Sequence, residues 1–599
     1  MLVLRDVHGL KERVKEKRFR PYPGVLRDAH GLEDMMKQFM EKVKAKVGAV
    51  LWIALAVLLM LLNLGVKTAR AEGIVPAEQV QITSCVINGD QVQVTGVNYG
   101  GISANDGQFY LFELQPYEDA IGLRTDYGAT APKGTEMVFG LPLNYGTASS
   151  RLYSKFAVAV WDGEKYVQVS QPVYLTNPEA VARNQNPFKA PLTKKGLLIE
   201  TSMLDDAFNL GVKHVIVNFP FQFILGTGID YEYEGKTYHF NKALLDEYDK
   251  IVKNLTAKDL SVTAVILNSW NDATPDLYYP GVQQTAGVNY YLFNAATKEG
   301  FEDIKAIASF LAEHYGGTGN GKVSNWIIGN EINNQEWNYI GPMDINQYMK
   351  EYERAFRVFY TAIKSTSAND RVYFSTDYNW NHEANGTTKY NAKDVIDTFN
   401  ARIKAGGQID WNLAYHPYSV PLTEPEFWDD GATGLVTWSE TSPIVNIGNL
   451  SVLTDYFQKP EMLNAAGQVR HIILSEQGFT STSATRGECQ DLQAAAIAYA
   501  YYIVDSNPYI DAFIMSRQID APSEAQLSAS FGLYKCDMNQ PDRIVPTLMK
   551  KSYEVYRNID KSAKTLETTQ FAKEILGIEH WYDVIPNFRW RGLEKRTQN

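Results

Sequence analysis

Trp326-Ile327-Ile328-Gly329-Asn330-Glu331 reads as a short apolar strand that delivers an acidic side chain where it ends. His471-Ile472-Ile473-Leu474-Ser475-Glu476-Gln477-Gly478-Phe479 has the same form. Aliphatic runs without polar alternation describe strands buried on both faces, as in a parallel sheet. Outward from these two stretches, a strand–loop–helix pattern recurs. Strands are predicted over 196–200, 212–219, 261–268, 323–330, 371–376, 410–416, 470–475 and 511–516, with helices such as 244–255, 301–314, 347–364 and 490–504 between them. Strands alternating with helices in this way belong to the α/β class. Eight such units make a (β/α)8 TIM barrel, here over 190–565, whose active site lies at the C-terminal ends of the strands. Glu331 and Glu476 then close strands four and seven.

Residues 76–180 follow a different rule, alternating apolar and polar positions with turn punctuation. Val80-Gln81-Ile82-Thr83-Ser84-Cys85-Val86 runs into the turn Asn88-Gly89-Asp90, and Asp162-Gly163 marks a later hairpin. Short strands at this spacing predict a small all-β sandwich domain in front of the barrel. A carbohydrate-binding module would show clustered exposed aromatics, which this stretch lacks, so a structural companion is the preferred reading. Residues 566–599 read as a C-terminal extension.

Residues 1–71 read as an N-terminal extension plus a signal peptide, with an apolar core at 47–66. Lys42, Lys44 and Lys46 precede that core, and Ala69-Arg70-Ala71 supplies a small-x-small cleavage site. Cleavage after Ala71 is the preferred reading and predicts a secreted or cell-surface protein. An uncleaved anchor is the alternative, since the apolar run approaches spanning length. Either signal is the chain's only predicted link to a membrane. Leu4-Arg5-Asp6-Val7-His8-Gly9-Leu10 is nearly repeated as Leu26-Arg27-Asp28-Ala29-His30-Gly31-Leu32, and initiation at Met40 would give a signal of ordinary size.

Net charge is −12, with no sustained basic stripe beyond the first residues. That excludes nucleic acid as the main partner, because phosphate binding needs clustered Lys and Arg. Three cysteines make no disulfide scaffold and no metal spacing. Cys85 sits in an apolar strand pattern, whereas Cys489 and Cys536 fall on neighbouring loops of the active-site face, where they could pair or remain free thiols. Aromatics form 12% of the chain, many in Gly/Asn/Pro-rich stretches, which suits either a large core or platforms for sugar rings.

Cleaving a glycosidic bond takes one carboxylic acid to protonate the leaving oxygen and a second carboxylate across from it. Two glutamates ending two barrel strands fit that demand. Helix capping alone would explain each glutamate singly, but not both of them at the mouth of one barrel.

At Gly329-Asn330-Glu331 and Ser475-Glu476-Gln477-Gly478-Phe479 the chain resembles the clan A superfamily of retaining glycoside hydrolases, over about residues 194–560. The resemblance implies that Glu331 is the general acid/base, Glu476 the nucleophile and Asn330 a partner of the sugar 2-hydroxyl. Ala414-Tyr415-His416-Pro417-Tyr418 looks like the superfamily's His-x-Tyr, in which Tyr418 would hydrogen-bond the nucleophile and favour its charged form. His416 and Tyr418 thus join the substrate site. Many members place Trp at the end of strand eight, where this chain has Arg517, and Arg on strand two, where it has Asn218. A salt bridge is preferred to a substrate contact for Arg517. Asn268 and Trp270 end strand three and Trp380 follows strand five, all as substrate-site candidates; each Trp is either a sugar platform or a rim-packing residue.

The leading reading is a retaining hydrolase of β-linked oligo- or polysaccharides that needs neither cofactor nor metal. It requires the two carboxyl groups about 5–5.5 Å apart, against about 6.5–9.5 Å for inversion. A non-catalytic sugar-binding or cell-envelope scaffold is the alternative, and a transglycosylase would share every residue named. Oligomeric state is left open.

Overall fold

Eight parallel strands close into a barrel in the order they occur along the chain: Lys195–Leu198, His214–Pro220, Ser261–Leu267, Asn325–Ile328, Arg371–Asp377, Trp411–His416, Ile472–Gln477 and Ile510–Met515. The last pairs with the first, Phe513 beside Lys195. This computed structural model describes residues 79–588 apart from 101, 103 and 586. The signal and anchor readings of residues 1–71, Met40 included, lie outside the described residues.

The interior is filled by residues two apart along the strands, as a pleat requires. Ile216, Val265, Leu267, Ile327, Tyr373, Ala414, Ile473, Ala512 and Ile514 form this core. Around it run helices such as Lys242–Ala257, Lys298–His314, Ile345–Thr366, Ala392–Ala405 and Gln490–Ser506. Their starts are written in the sequence. Asp344, for example, accepts from the amides of Asn346 and Gln347 at 2.9 and 3.2 Å, which satisfies two of the free donors of the helix it opens.

Strand ends depart from the predicted bounds by one or two residues, and two of these departures have a clear local reason. Strand four stops at Ile328 because Gly329 turns to φ +78°, and a Cβ at that position would sit 3.0 Å from Asn338 Oδ1. Strand seven runs on through Glu476 to Gln477, but its register against strand eight slips between Leu474 and Gln477. One extra residue there makes a β-bulge, a device that re-aims a side chain.

In front of the barrel, Val80–Asn88, Gln91–Asn98 and Glu136–Pro142 form one antiparallel sheet. Ala129–Pro132, Gln108–Leu114, Lys155–Trp161, Tyr166–Gln168 and Val173–Tyr174 form a second. This domain clasps the outer ring of the barrel. Asp119 pairs with Lys350 and Arg354, Arg357 lies over the Tyr174 ring at 4.6 Å, and Tyr153 hydrogen-bonds Ser309. All four barrel-side partners ride on Lys298–His314 or Ile345–Thr366.

The barrel does not stop at residue 565. Helix Ser562–Leu576 runs through that boundary and packs on Gln490–Ser506, with Thr565, Thr569 and Ala572 fully buried. Its contact face is built from threonine and alanine, with Thr569 hydrogen-bonded to Tyr502, so it lacks the apolar stripe by which a core helix is recognised. Cys85 is buried as expected, and Cys489 and Cys536 remain unpaired thiols. Among the described residues no helix is long and apolar enough to cross a membrane.

Candidate active site

Glu331 leaves strand four in a left-handed backbone conformation, φ +37°. That conformation is costly for a residue with a Cβ, by about 1–3 kcal/mol. Strand five holds it there. Ser375 Oγ accepts the Glu331 amide at 2.9 Å, and the Ser375 carbonyl accepts the Ile332 amide at 2.9 Å. The side chain that results is 14% exposed, with Oε1 at 2.8 Å from Nδ1 of His416. Burial pushes the Glu331 carboxyl up to about 7; His416 opposes this, while the charges of Asp377 and Glu476 reinforce it.

Glu476 stands on the bulge of strand seven, 34% exposed. Tyr418 donates its hydroxyl to Oε1 at 2.8 Å, and His416 Nδ1 lies 3.8 Å from Oε2. Tyr418 is braced by Phe531, whose ring centre is 5.6 Å away. Close packing against Phe531 also explains Gly478, where a Cβ would fall 2.7 Å from the Phe531 Cβ.

His416 ends strand six, is 2% exposed and serves both glutamates. Burial works against charging the ring, yet Glu476 and Glu331 together outweigh it and lift the imidazole above its usual range. Because one ring nitrogen reaches both carboxylates, at 2.8 and 3.8 Å, those two oxygens lie no more than about 6.6 Å apart. A carboxylate this close works against ionisation of Glu331.

The structure brings together Glu331, Glu476, His416 and Tyr418. Asn330 lies beside them, half-buried, its side-chain amide without a hydrogen-bond partner among the described residues. Asn218 shares the inward face of strand two with Ile216 and is exposed at the mouth. Arg517 is forked onto Glu524, Nε to Oε2 at 3.0 Å, as the salt-bridge reading expected, although the partner stands on the short helix Pro522–Ala525 after strand eight.

Three candidates go elsewhere. Trp380 is fully buried and donates Nε1 to the Glu440 carbonyl at 2.9 Å, so it is no sugar platform. Trp270 is stacked on Tyr278 at 4.5 Å and bonded to Asp272, the rim-packing alternative. Asn268 is 1% exposed and ties the following loop through the Leu277 carbonyl. It follows Leu267, an interior residue of strand three, and so points away from the barrel axis.

Sequence reasoning missed Ser375, whose role is a backbone bond, and the aromatic pair Tyr290 and Trp337. Both rings are half-buried and their centres are 6.0 Å apart. Tyr290 packs on the barrel core, and burial and the charge of Glu476 raise its phenol. The available signal was their setting, aromatics in irregular Asn-rich loops.

Residues 187–584 match a family of unknown function, DUF5722. The chain belongs to that family. The DUF5722 match takes in all eight barrel strands and both glutamates, and leaves the front domain outside. No curated protein matches the chain. Among solved structures, this DUF5722 protein is similar to a family 39 glycoside hydrolase from the gut symbiont Bacteroides cellulosilyticus WH2, at 16% identity over 82% of this chain and 83% of that one, TM-score 0.42. It is also similar to a β-D-glucuronidase of Dictyoglomus thermophilum (12% identity, 80% and 68% covered, TM-score 0.32) and a family 1 β-glucosidase of Thermotoga maritima (15%, 60% and 86%, TM-score 0.35). At such scores these likenesses say nothing about what the DUF5722 protein cleaves or binds.

Proposed function

We propose that this chain is a retaining glycoside hydrolase acting on β-linked glycans. One observation carries the reading: two strand-end glutamates share a single buried histidine, one of them with its carboxyl pushed up to about 7 by burial and the other facing the cleft with a tyrosine hydroxyl on its carboxylate. Glu476 attacks the anomeric carbon, forming a glycosyl–enzyme bond, while Glu331 gives its proton to the departing oxygen. Glu331, now a carboxylate, then takes a proton from water as that water attacks the anomeric carbon and releases Glu476. Tyr418 holds Glu476 in place, and the free amide of Asn330 faces the sugar. The chemistry requires no cofactor. A sugar acceptor in place of water would give the transglycosylase, from the same residues.

The test is a panel of aryl β-glycosides and polysaccharides, followed by NMR of the first-formed anomer. Release of reducing ends with retained configuration is the expected result. Inverted product would remove the covalent step. Binding without turnover on every substrate would leave the non-catalytic scaffold as the better reading.

A further inference from the structure

Tyr290 and Trp337 have no task in the steps above, and their surroundings suggest one. They belong to the loops after strands three and four, which are laced together by backbone bonds. The Asn289 amide donates to the Glu336 carbonyl at 2.8 Å, Tyr339 to Tyr290 at 2.9 Å, and Leu292 to Tyr339 at 2.9 Å. The backbone that carries both rings is therefore fixed in place before any ligand arrives. Tyr290 rests on the barrel core, over the interior, and Trp337 rides the same loop as Glu331.

What distinguishes this pair is its free polar ends. Trp270 uses Nε1 on Asp272 and one face on Tyr278, and Trp380 is buried against a carbonyl. Neither Tyr290 Oη nor Trp337 Nε1 bonds to any described residue. Asn289 Nδ2 and Glu336 Oε1 beside them are buried and also without partners. Buried amide and carboxyl groups ordinarily find partners. Two half-buried rings whose polar ends are free of protein partners fit a ligand that is apolar on one side and hydroxylated at its edge, which describes a sugar ring.

We propose that Tyr290 and Trp337 form a subsite for a second sugar ring adjoining the one being cleaved, so that the preferred substrate is a β-linked chain rather than a single glycoside. This rests on the glycosidase reading of Glu331 and Glu476. The experiment compares the full chain on a 4-nitrophenyl monoglycoside from the panel above and on β-linked oligosaccharides of two to five units of the same sugar. In the unaltered protein kcat/KM should rise with the second ring. Tyr290→Ala and Trp337→Ala should each lose about tenfold on oligosaccharides, chiefly in KM, and leave the monoglycoside unchanged, while Tyr290→Phe keeps most of the gain. Equal losses on both substrates, or none on either, would overturn the proposal. If nothing in the panel is cleaved, the glycosidase reading falls. Binding of the same oligosaccharides, followed by tryptophan fluorescence, then judges the subsite separately: binding abolished by Trp337→Ala supports it, and no binding removes it.

Discussion

At the end of strand four the chain breaks from the sheet through Gly329, and Glu331 is forced into left-handed backbone, buried against His416. At the end of strand seven the chain stays in the sheet with one residue too many, and Glu476 is lifted toward solvent under Tyr418. Two copies of one side chain on one rim are thus given opposite surroundings. Burial favours the neutral form of the first, while the second meets a tyrosine hydroxyl at the open cleft. The difference is set by backbone geometry, before any substrate arrives.

The sharpest way to break this comparison is to remove each side chain in turn. Glu476→Ala should abolish turnover of every glycoside, by about 10⁴- to 10⁶-fold. Glu331→Ala should slow natural glycans by about 10²- to 10⁴-fold, yet spare bond cleavage in activated aryl glycosides, whose leaving groups need no proton. Azide should restore turnover of those substrates in Glu331→Ala alone. Matching behaviour of the two variants would dissolve the assignment.

Smaller changes sharpen it. Tyr418→Phe removes a bond to a carboxylate, a contribution of about 1.5–3 kcal/mol, and should cut kcat/KM about ten- to a hundredfold while Tm holds. Activity on natural glycans should fall as pH rises through about 7, as Glu331 loses its proton. His416 opposes the rise of that carboxyl, so His416→Gln should move the alkaline limb to higher pH; a limb that stays or moves down would show that another group titrates. The smallest effect is expected of Ser375→Ala, a few-fold for one hydrogen bond of about 1 kcal/mol. It should appear on substrates that need the acid and vanish on activated ones, which a general loss of stability would not do.

Much of this was legible before the structure. Eight aliphatic strands and the residues that end them follow from period and position, which is why Glu331 and Glu476 could be read from sequence, while His416 and Tyr418 followed from the resemblance of their segment to a family motif. Loops have no such period, so side-chain direction there depends on contacts between distant segments. Trp380 is sealed by Glu440, 60 residues on; Trp270 finds Tyr278; Tyr290 finds Trp337 across two loops. The salt bridge of Arg517 was foreseeable from its charge, but Glu524 as its partner was not. Helix Ser562–Leu576 went unread because threonine packing carries no apolar signature.

The clasp between the front domain and helix Ile345–Thr366 has a practical consequence. A gene trimmed to the family match at residue 187 would discard Tyr153, Tyr174 and Asp119. Arg354 and Arg357, buried in the intact chain, would then face water along one side. The segment that matches the family and the segment that can be produced as a stable protein are different objects, and expression should begin ahead of Val80.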